Sequence, residues 1–199
     1  MALLLGVAVS SDPAAAEEAY DEPDLAVTVE GAIDAPFDAV RAVLLDVAGL
    51  GAWFPGVDEW LVLETGEDTV LVYGSQALPW PISDRDYVVR YRWAAPRRAV
   101  FRLEAQSDVS PSAPVRKGRI RVDDMRTVWT LTSRGEGAHV RYTYEGGTGM
   151  PLPGWVARAG WRRRASDVVD ALRAEVARRS AAAASAEATY APHETGDPS

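Results

Sequence analysis

The chain has 199 residues, 47% of them hydrophobic, enough for one domain with a sizeable core. It has no cysteine and only two histidines, His139 and His193. That excludes disulfides, thiol nucleophiles and thiolate metal sites, and argues against a histidine triad or a multi-histidine metal centre. The net charge of −8 is unevenly spread: residues 1–40 carry nine acids and no Lys or Arg, and residues 180–199 carry three acids and no base. The stretch between is slightly basic, which does not point to nucleic acid. The aromatic set of seven Trp, seven Tyr and three Phe favours rings with a polar tip, suited equally to a core and to a half-wet cavity.

Residues 2–9 are apolar but too short to span a bilayer. Ala14-Ala15-Ala16 before Glu17 resembles a signal-peptide cleavage site, although no basic residue precedes the apolar run. Two expectations stay open: an export signal, which implies a periplasmic or secreted protein, or an N-terminal arm on a cytoplasmic one. In either case residues 1–24 end in an acidic linker, and the folded domain is expected over 25–179.

Leu25–Ile33 alternates apolar and polar residues, the pattern of a half-buried strand. Asp34-Ala35-Pro36 then opens a helix, with the cap at Asp34 or Ala35 and Pro36 in its first turn; Phe37, Val40, Leu44 and Val47 follow at helical spacing, up to Gly49 and Gly51. Strands are predicted over 57–63 and 69–78 around a Gly66-Glu67-Asp68 turn, then over 85–93 and 100–105 around Ala95-Pro96. Residues 116–131 read as one long strand whose parity switches at a bulge near Asp123-Asp124-Met125. Gly135-Glu136-Gly137 turns into a last strand with Val140, Tyr142 and Tyr144 on one face. After the breaker-rich loop 146–154, Ala157, Trp161, Ala165, Val168, Leu172 and Val176 mark the inner stripe of a long helix, 154–179. Residues 180–199 are expected to be a disordered tail.

Short turns imply antiparallel neighbours, and one long helix with a single apolar stripe needs one sheet face to cover. The expected fold is therefore α+β: a helix-grip arrangement in which a curved antiparallel sheet of about seven strands wraps a long C-terminal helix. The space between them would be lined by Tyr73, Tyr87, Tyr91, Trp93, Phe101, Trp129, Tyr142, Tyr144 and Trp161. Trp53, Phe54, Met150, Leu152 and Trp155 would form its mouth, released by movement of the 146–154 loop or the front of the helix. Arg85 could orient a ligand's polar group, or could simply pair with Asp84 or Asp86 at the start of its strand. Arg158 and Arg162–Arg164 could meet anionic headgroups, or form a solvated helix face.

The run Trp80-Pro81-Ile82-Ser83-Asp84-Arg85-Asp86-Tyr87 resembles the Trp-Pro-x-Ser-x-Arg-Asp-aromatic signature of the START lipid-transfer domains. The likeness extends over residues 25–179, through Gly118–Met125, Trp129-Thr130-Leu131, Val140–Tyr144 and Gly149–Trp155. It implies a bacterial member of the START/polyketide-cyclase superfamily. Such a protein would be a monomer binding one lipid or sterol-like molecule, with no cofactor or catalytic residue and with transient membrane contact. In family members the arginine matching Arg85 can reach the cavity as its polar end. The carboxylate found on the preceding strand of cholesterol-binding members has no counterpart among Tyr73-Gly74-Ser75-Gln76. Two other readings remain: a polyketide cyclase or aromatase on the same fold, or a module that grips a partner protein.

Overall fold

The computed structural model describes residues 25–78, 83–147 and 154–190. Strand β1 spans Leu25–Ile33, and its buried Leu25, Val27 and Ile33 alternate with exposed Ala26, Thr28 and Glu30. Helix α1 spans Phe37–Leu45. Pro36 is its cap rather than a first-turn residue: its φ of −55° suits the helix, its ψ of 143° does not, and its carbonyl accepts from the Ala39 and Val40 N–H groups. Val40, Val43 and Leu44 are the face that α1 buries. A 3₁₀ turn follows over Val47–Ala52, held at its start by the Asp46 carboxylate, which accepts from Gly49 N at 3.1 Å.

The remaining strands are β2 (Val57–Thr65), β3 (Thr69–Gln76), β4 (Asp84–Arg97), β5 (Val100–Ser107), β6 (Arg119–Val122), β7 (Arg126–Arg134) and β8 (Gly137–Gly146). They form one eight-stranded sheet in the order β1-β8-β7-β5-β4-β3-β2, antiparallel along that path. Two sequence expectations are corrected. Ala95-Pro96 does not turn the chain: β4 runs on to Arg97, its pairing with β5 shifts register between Ala94 and Arg97, and the reversal comes at Ala99, with φ of 60°. Proline is tolerated there because an irregular register does not need its missing N–H. Residues 116–131 are likewise not one bulged strand. β6 separates from β7 and pairs in parallel with Asp84–Tyr87 of β4, on the side that β5 occupies farther along.

Helix α2 (Gly154–Tyr190) closes the fold, packing on β1, β8 and α1. Ala157, Ala165, Val168, Val169, Leu172 and Val176 form its buried face. Its inner half is tied down by Arg173 Nε, which donates to the Ala32 carbonyl at 3.0 Å, and by Arg179, which bridges Glu175 and Asp46 at 2.7 Å each. The helix does not stop near 179. It continues to Tyr190 because Ala181–Ala184 have the highest helix propensity of any residue, although residues 180–186 are exposed and bury nothing. No helix among the described residues is long and apolar enough to cross a membrane.

Candidate functional site

The inward sets follow from strand parity: 70, 72, 74 and 76 on β3, odd residues on β4, β5 and β7, and even residues on β8, a pattern that the pairs Val70–Tyr91, Gly74–Tyr87, Phe101–Leu131 and Trp129–Tyr142 carry across the sheet. Under the first half of α2 this face lines a half-open cavity of about 300 Å³. Val89, Phe101, Leu103, Trp129, Leu131 and Val140 are buried in the core on this face and do not line the cavity.

Six of the residues singled out from sequence as ligand contacts meet at this cavity: Arg85, Tyr87 and Tyr91 from β4, Tyr142 and Tyr144 from β8, and Trp161 from α2. Tyr144 and Trp161 stack with ring centroids 3.9 Å apart and planes at 16°, joining the helix to the sheet over the cavity. Trp129 is not in the wall but directly behind it, its ring centroid 4.5 Å from that of Tyr142. Phe101 is a core residue outside the lining, with the Arg41 guanidinium 5.7 Å from its ring centroid, and Trp93, also outside the lining, is partly buried against the core. Tyr73 faces the opposite side of the sheet. There it packs with Leu71 and Val88 and its hydroxyl donates to Asp86 at 3.2 Å.

Of the residues expected at the mouth, Phe54 lines the cavity. Trp53 packs on the core beside Phe54, at 5.9 Å between centroids, and Trp155 is 77% exposed and outside the lining. Met150 and Leu152 lie outside the described residues.

Arg85 and Asp86 occupy opposite faces. Asp86 is 3% exposed and is taken by Arg121 of β6, at 2.8 and 3.0 Å. Arg85 is 7% exposed, lines the cavity, and donates from Nη1 to the Ser83 carbonyl at 3.0 Å. The Asp84 carboxylate accepts from Leu78 N at 3.0 Å, closing the turn into β4. The anion that clamps β6 therefore comes from Asp86, and the cation in the cavity from its neighbour. Further pairs on the outer face hold β6 and the residues before it: Arg119 to Asp58 at 2.7 Å, with Ser75 donating to the same carboxylate at 2.6 Å, and Arg116 to Glu59. This matters inside because Val122 of β6 is cavity wall.

Several lining residues were not anticipated. Trp60 donates from Nε1 to the Val47 carbonyl at 3.1 Å and sets its ring 6.4 Å from Tyr87 and 6.1 Å from Tyr91. Register shifts in β2 hide which face it takes. Gln76, Leu78, Val122, Met125 and Thr127 add to the wall. Arg164 carried a usable signal: it stands three residues after Trp161 and four before Val168, on the apolar stripe. Arg158, Arg162 and Arg163 are exposed, whereas Arg164 turns into the cavity and donates from Nη2 to the Pro55 carbonyl at 3.1 Å.

Electrostatically, burial pushes the Tyr87 and Tyr142 phenols well above the ordinary tyrosine range; the Arg164 charge opposes this at both, and Gln76 also opposes it at Tyr87 by hydrogen bonding. Tyr91 is raised too, chiefly by burial. All three are protonated near neutral pH. The described lining thus holds two guanidiniums, four phenols, one amide and one threonine hydroxyl, with no carboxylate, imidazole or thiol. Among the described residues no cluster of three or more His, Cys, Asp or Glu could hold a metal ion.

The bovine phosphatidylcholine transfer protein is 33% identical to the chain over 123 residues, 60% of this chain and 57% of that protein. The chain spans about three fifths of the length of the curated relatives it matches. Among solved structures, a STAR-related lipid transfer protein from Xanthomonas axonopodis superposes with a TM-score of 0.66 at 25% identity, covering 76% of this chain and 85% of that one. The Zhui aromatase/cyclase from Streptomyces shares the fold, with a TM-score of 0.58 at 23% identity over 78% of this chain and 95% of its own. The family model described as polyketide cyclase/dehydrase and lipid transport matches residues 24–177, and the chain belongs to that family, as a START-type helix-grip protein.

Proposed function

We propose that the protein binds one lipid-like molecule between the sheet and the first half of α2, as a carrier or sensor. The observation that carries this reading is the cavity itself: about 300 Å³, walled by Phe54, Trp60, Tyr87, Tyr91, Tyr142, Tyr144, Trp161 and Val168, with its few polar groups around Arg85, Gln76 and Arg164. That is the usual make-up of a small-molecule site, at the lower end of the usual size range. The names of the lipid-transfer relatives point the same way. Each 100 Å² of apolar ligand surface taken from water contributes about 2.5 kcal/mol before the costs of association. A cavity this small favours a single-chain or compact fused-ring ligand; a two-chain phospholipid requires the walls to part. The wall that can give is the start of α2, where Val156, Ala157 and Gly160 face the cavity and Gly160 has no neighbour within 4 Å of where a Cβ would be.

Likeness to an aromatase/cyclase supports a second reading, a cavity that positions a reactive chain. In that case Tyr87 and Tyr142, held protonated by burial, would donate hydrogen bonds and not act as bases. The test is uptake: protein incubated with vesicles of mixed lipids, refloated and extracted, is expected to retain about one lipid per chain. Recovery of none, with the same vesicles serving a known transfer protein, refutes the carrier reading.

A further inference from the structure

We infer that the cavity selects a ligand with an anionic headgroup, a carboxylate or a phosphate monoester, and that Arg164 is the residue that imposes this choice. The inference deepens the carrier reading and rests on it. Two cationic side chains, Arg85 and Arg164, line the cavity, and none of its described lining residues is acidic. Asp86, the acid adjacent to Arg85, is turned to the other face and engaged by Arg121. Arg164 donates to a neutral group, the Pro55 carbonyl. A guanidinium turned toward a largely apolar cavity, as Arg164 is, is costly to desolvate, and an opposite charge offsets that cost. A guanidinium offers a planar fork of donors that matches a carboxylate or phosphate, and the paired interaction is strongest where water is excluded.

The position of Arg164 is not what solvation alone would give. Arg162 and Arg163, its immediate neighbours, are exposed, while Arg164 occupies the inward stripe between Trp161 and Val168. Its charge reaches the phenols of both Tyr87 and Tyr142, on different strands. An anion placed among these groups would meet the Arg164 fork and two phenolic hydroxyls, with Arg85 supplying the second positive charge. Because Arg164 also holds the Pro55 carbonyl beside Phe54, the headgroup would sit next to the 53–56 turn, leaving the aromatic and aliphatic wall for the tail.

The test uses the full chain and three probes that share one tail: oleate, oleyl phosphate and oleyl alcohol, each titrated below its aggregation concentration by calorimetry. At least one anion is expected to bind tenfold or more tightly than the alcohol. Arg164→Gln is expected to cut that ratio about tenfold, Arg164→Lys to restore part of it, and the exposed neighbour Arg163→Gln to leave it unchanged. Whichever anion shows the larger preference identifies the headgroup. An alcohol that binds as tightly as both anions overturns this inference alone, as does a ratio that survives Arg164→Gln. Failure of all three probes to bind overturns the carrier reading together with the inference. Should Arg164→Gln not fold, the wild-type ratio decides.

Discussion

Gly74 has no side chain because Tyr87 lies across it. A Cβ built at Gly74 would stand 2.7 Å from Tyr87 Cζ and 2.8 Å from its hydroxyl oxygen, whereas comfortable carbon contacts are at about 3.5–4.0 Å. In Gly74→Ala the ring must therefore retreat by about 1 Å. The Gly74–Tyr87 pairing fixes its backbone, and the edge of Trp60 stands beside it, so the ring can only move into the cavity. Overpacking of this kind costs about 1–3 kcal/mol, and replacing a strand glycine by alanine returns about 0.5–1 kcal/mol. The expected net loss is about 1–2 kcal/mol, which at this chain length lowers Tm by about 3–6 °C. If about 50 Å² of ligand contact is lost with the ring's movement, affinity falls by roughly tenfold. Urea unfolding and ligand titration of Gly74→Ala, Tyr87→Ala and the double variant measure this as a cycle. Coupling of at least 1 kcal/mol between the two sites is expected. A Gly74→Ala protein as stable as wild type, or one equally destabilised when Tyr87 is already absent, refutes the steric argument.

Tyr73→Phe removes the hydroxyl that donates to Asp86 on the outer face. It should cost about 0.5–1.5 kcal/mol in urea unfolding while ligand affinity stays within experimental error. Asp86→Ala removes the acceptor shared by Arg121 and Tyr73, so β6 should loosen, with about 1.5–3 kcal/mol lost and tryptic cleavage at Arg116 and Lys117 accelerated at least tenfold. Acid stability should report Glu175, whose carboxyl is held at about 2 by hydrogen bonds from Arg178 and Arg179 against the effect of burial. A carboxyl lowered on folding stabilises the native state above its unfolded pKa and stops doing so as pH falls through the folded one. The stability difference between wild type and Glu175→Gln should thus be full at pH 6, shrink below about 4.5 and vanish near 2.

The sequence reading went furthest where polarity alternates. β1 has the bounds its pattern predicts, and the inward residues of β4 and β8 bring four tyrosines to one cavity. It failed where both faces are covered. β3 is buried along six consecutive residues, because Leu63 and Ala113 cover its outer side, so nothing in its polarity shows that Tyr73 and Gly74 face opposite ways. β6 and β7 read as one strand in the sequence because both are β-prone. What separates them is the ion pairing of Arg119 and Arg121 with Asp58 and Asp86, contacts about 35–60 residues distant in sequence that no local pattern encodes. Trp93, Phe101 and Trp129 read as cavity residues because aromatic residues on an inward face look alike; their place along the sheet keeps them out of the lining. Arg164 is legible from its spacing, but it stands in a run of three arginines whose other two members are exposed, which hides its inward place.

The central claim is that one hydrophobic molecule occupies the cavity under α2. Native mass spectrometry of gently purified protein tests it most directly, with wild type compared against Ala157→Trp, which places an indole on the buried, cavity-facing side of α2. The account predicts a single discrete adduct on wild type, identifiable on extraction, and its loss from a folded Ala157→Trp protein. A wild-type protein that stays empty after exposure to mixed lipids, or an adduct that Ala157→Trp retains undiminished, contradicts it.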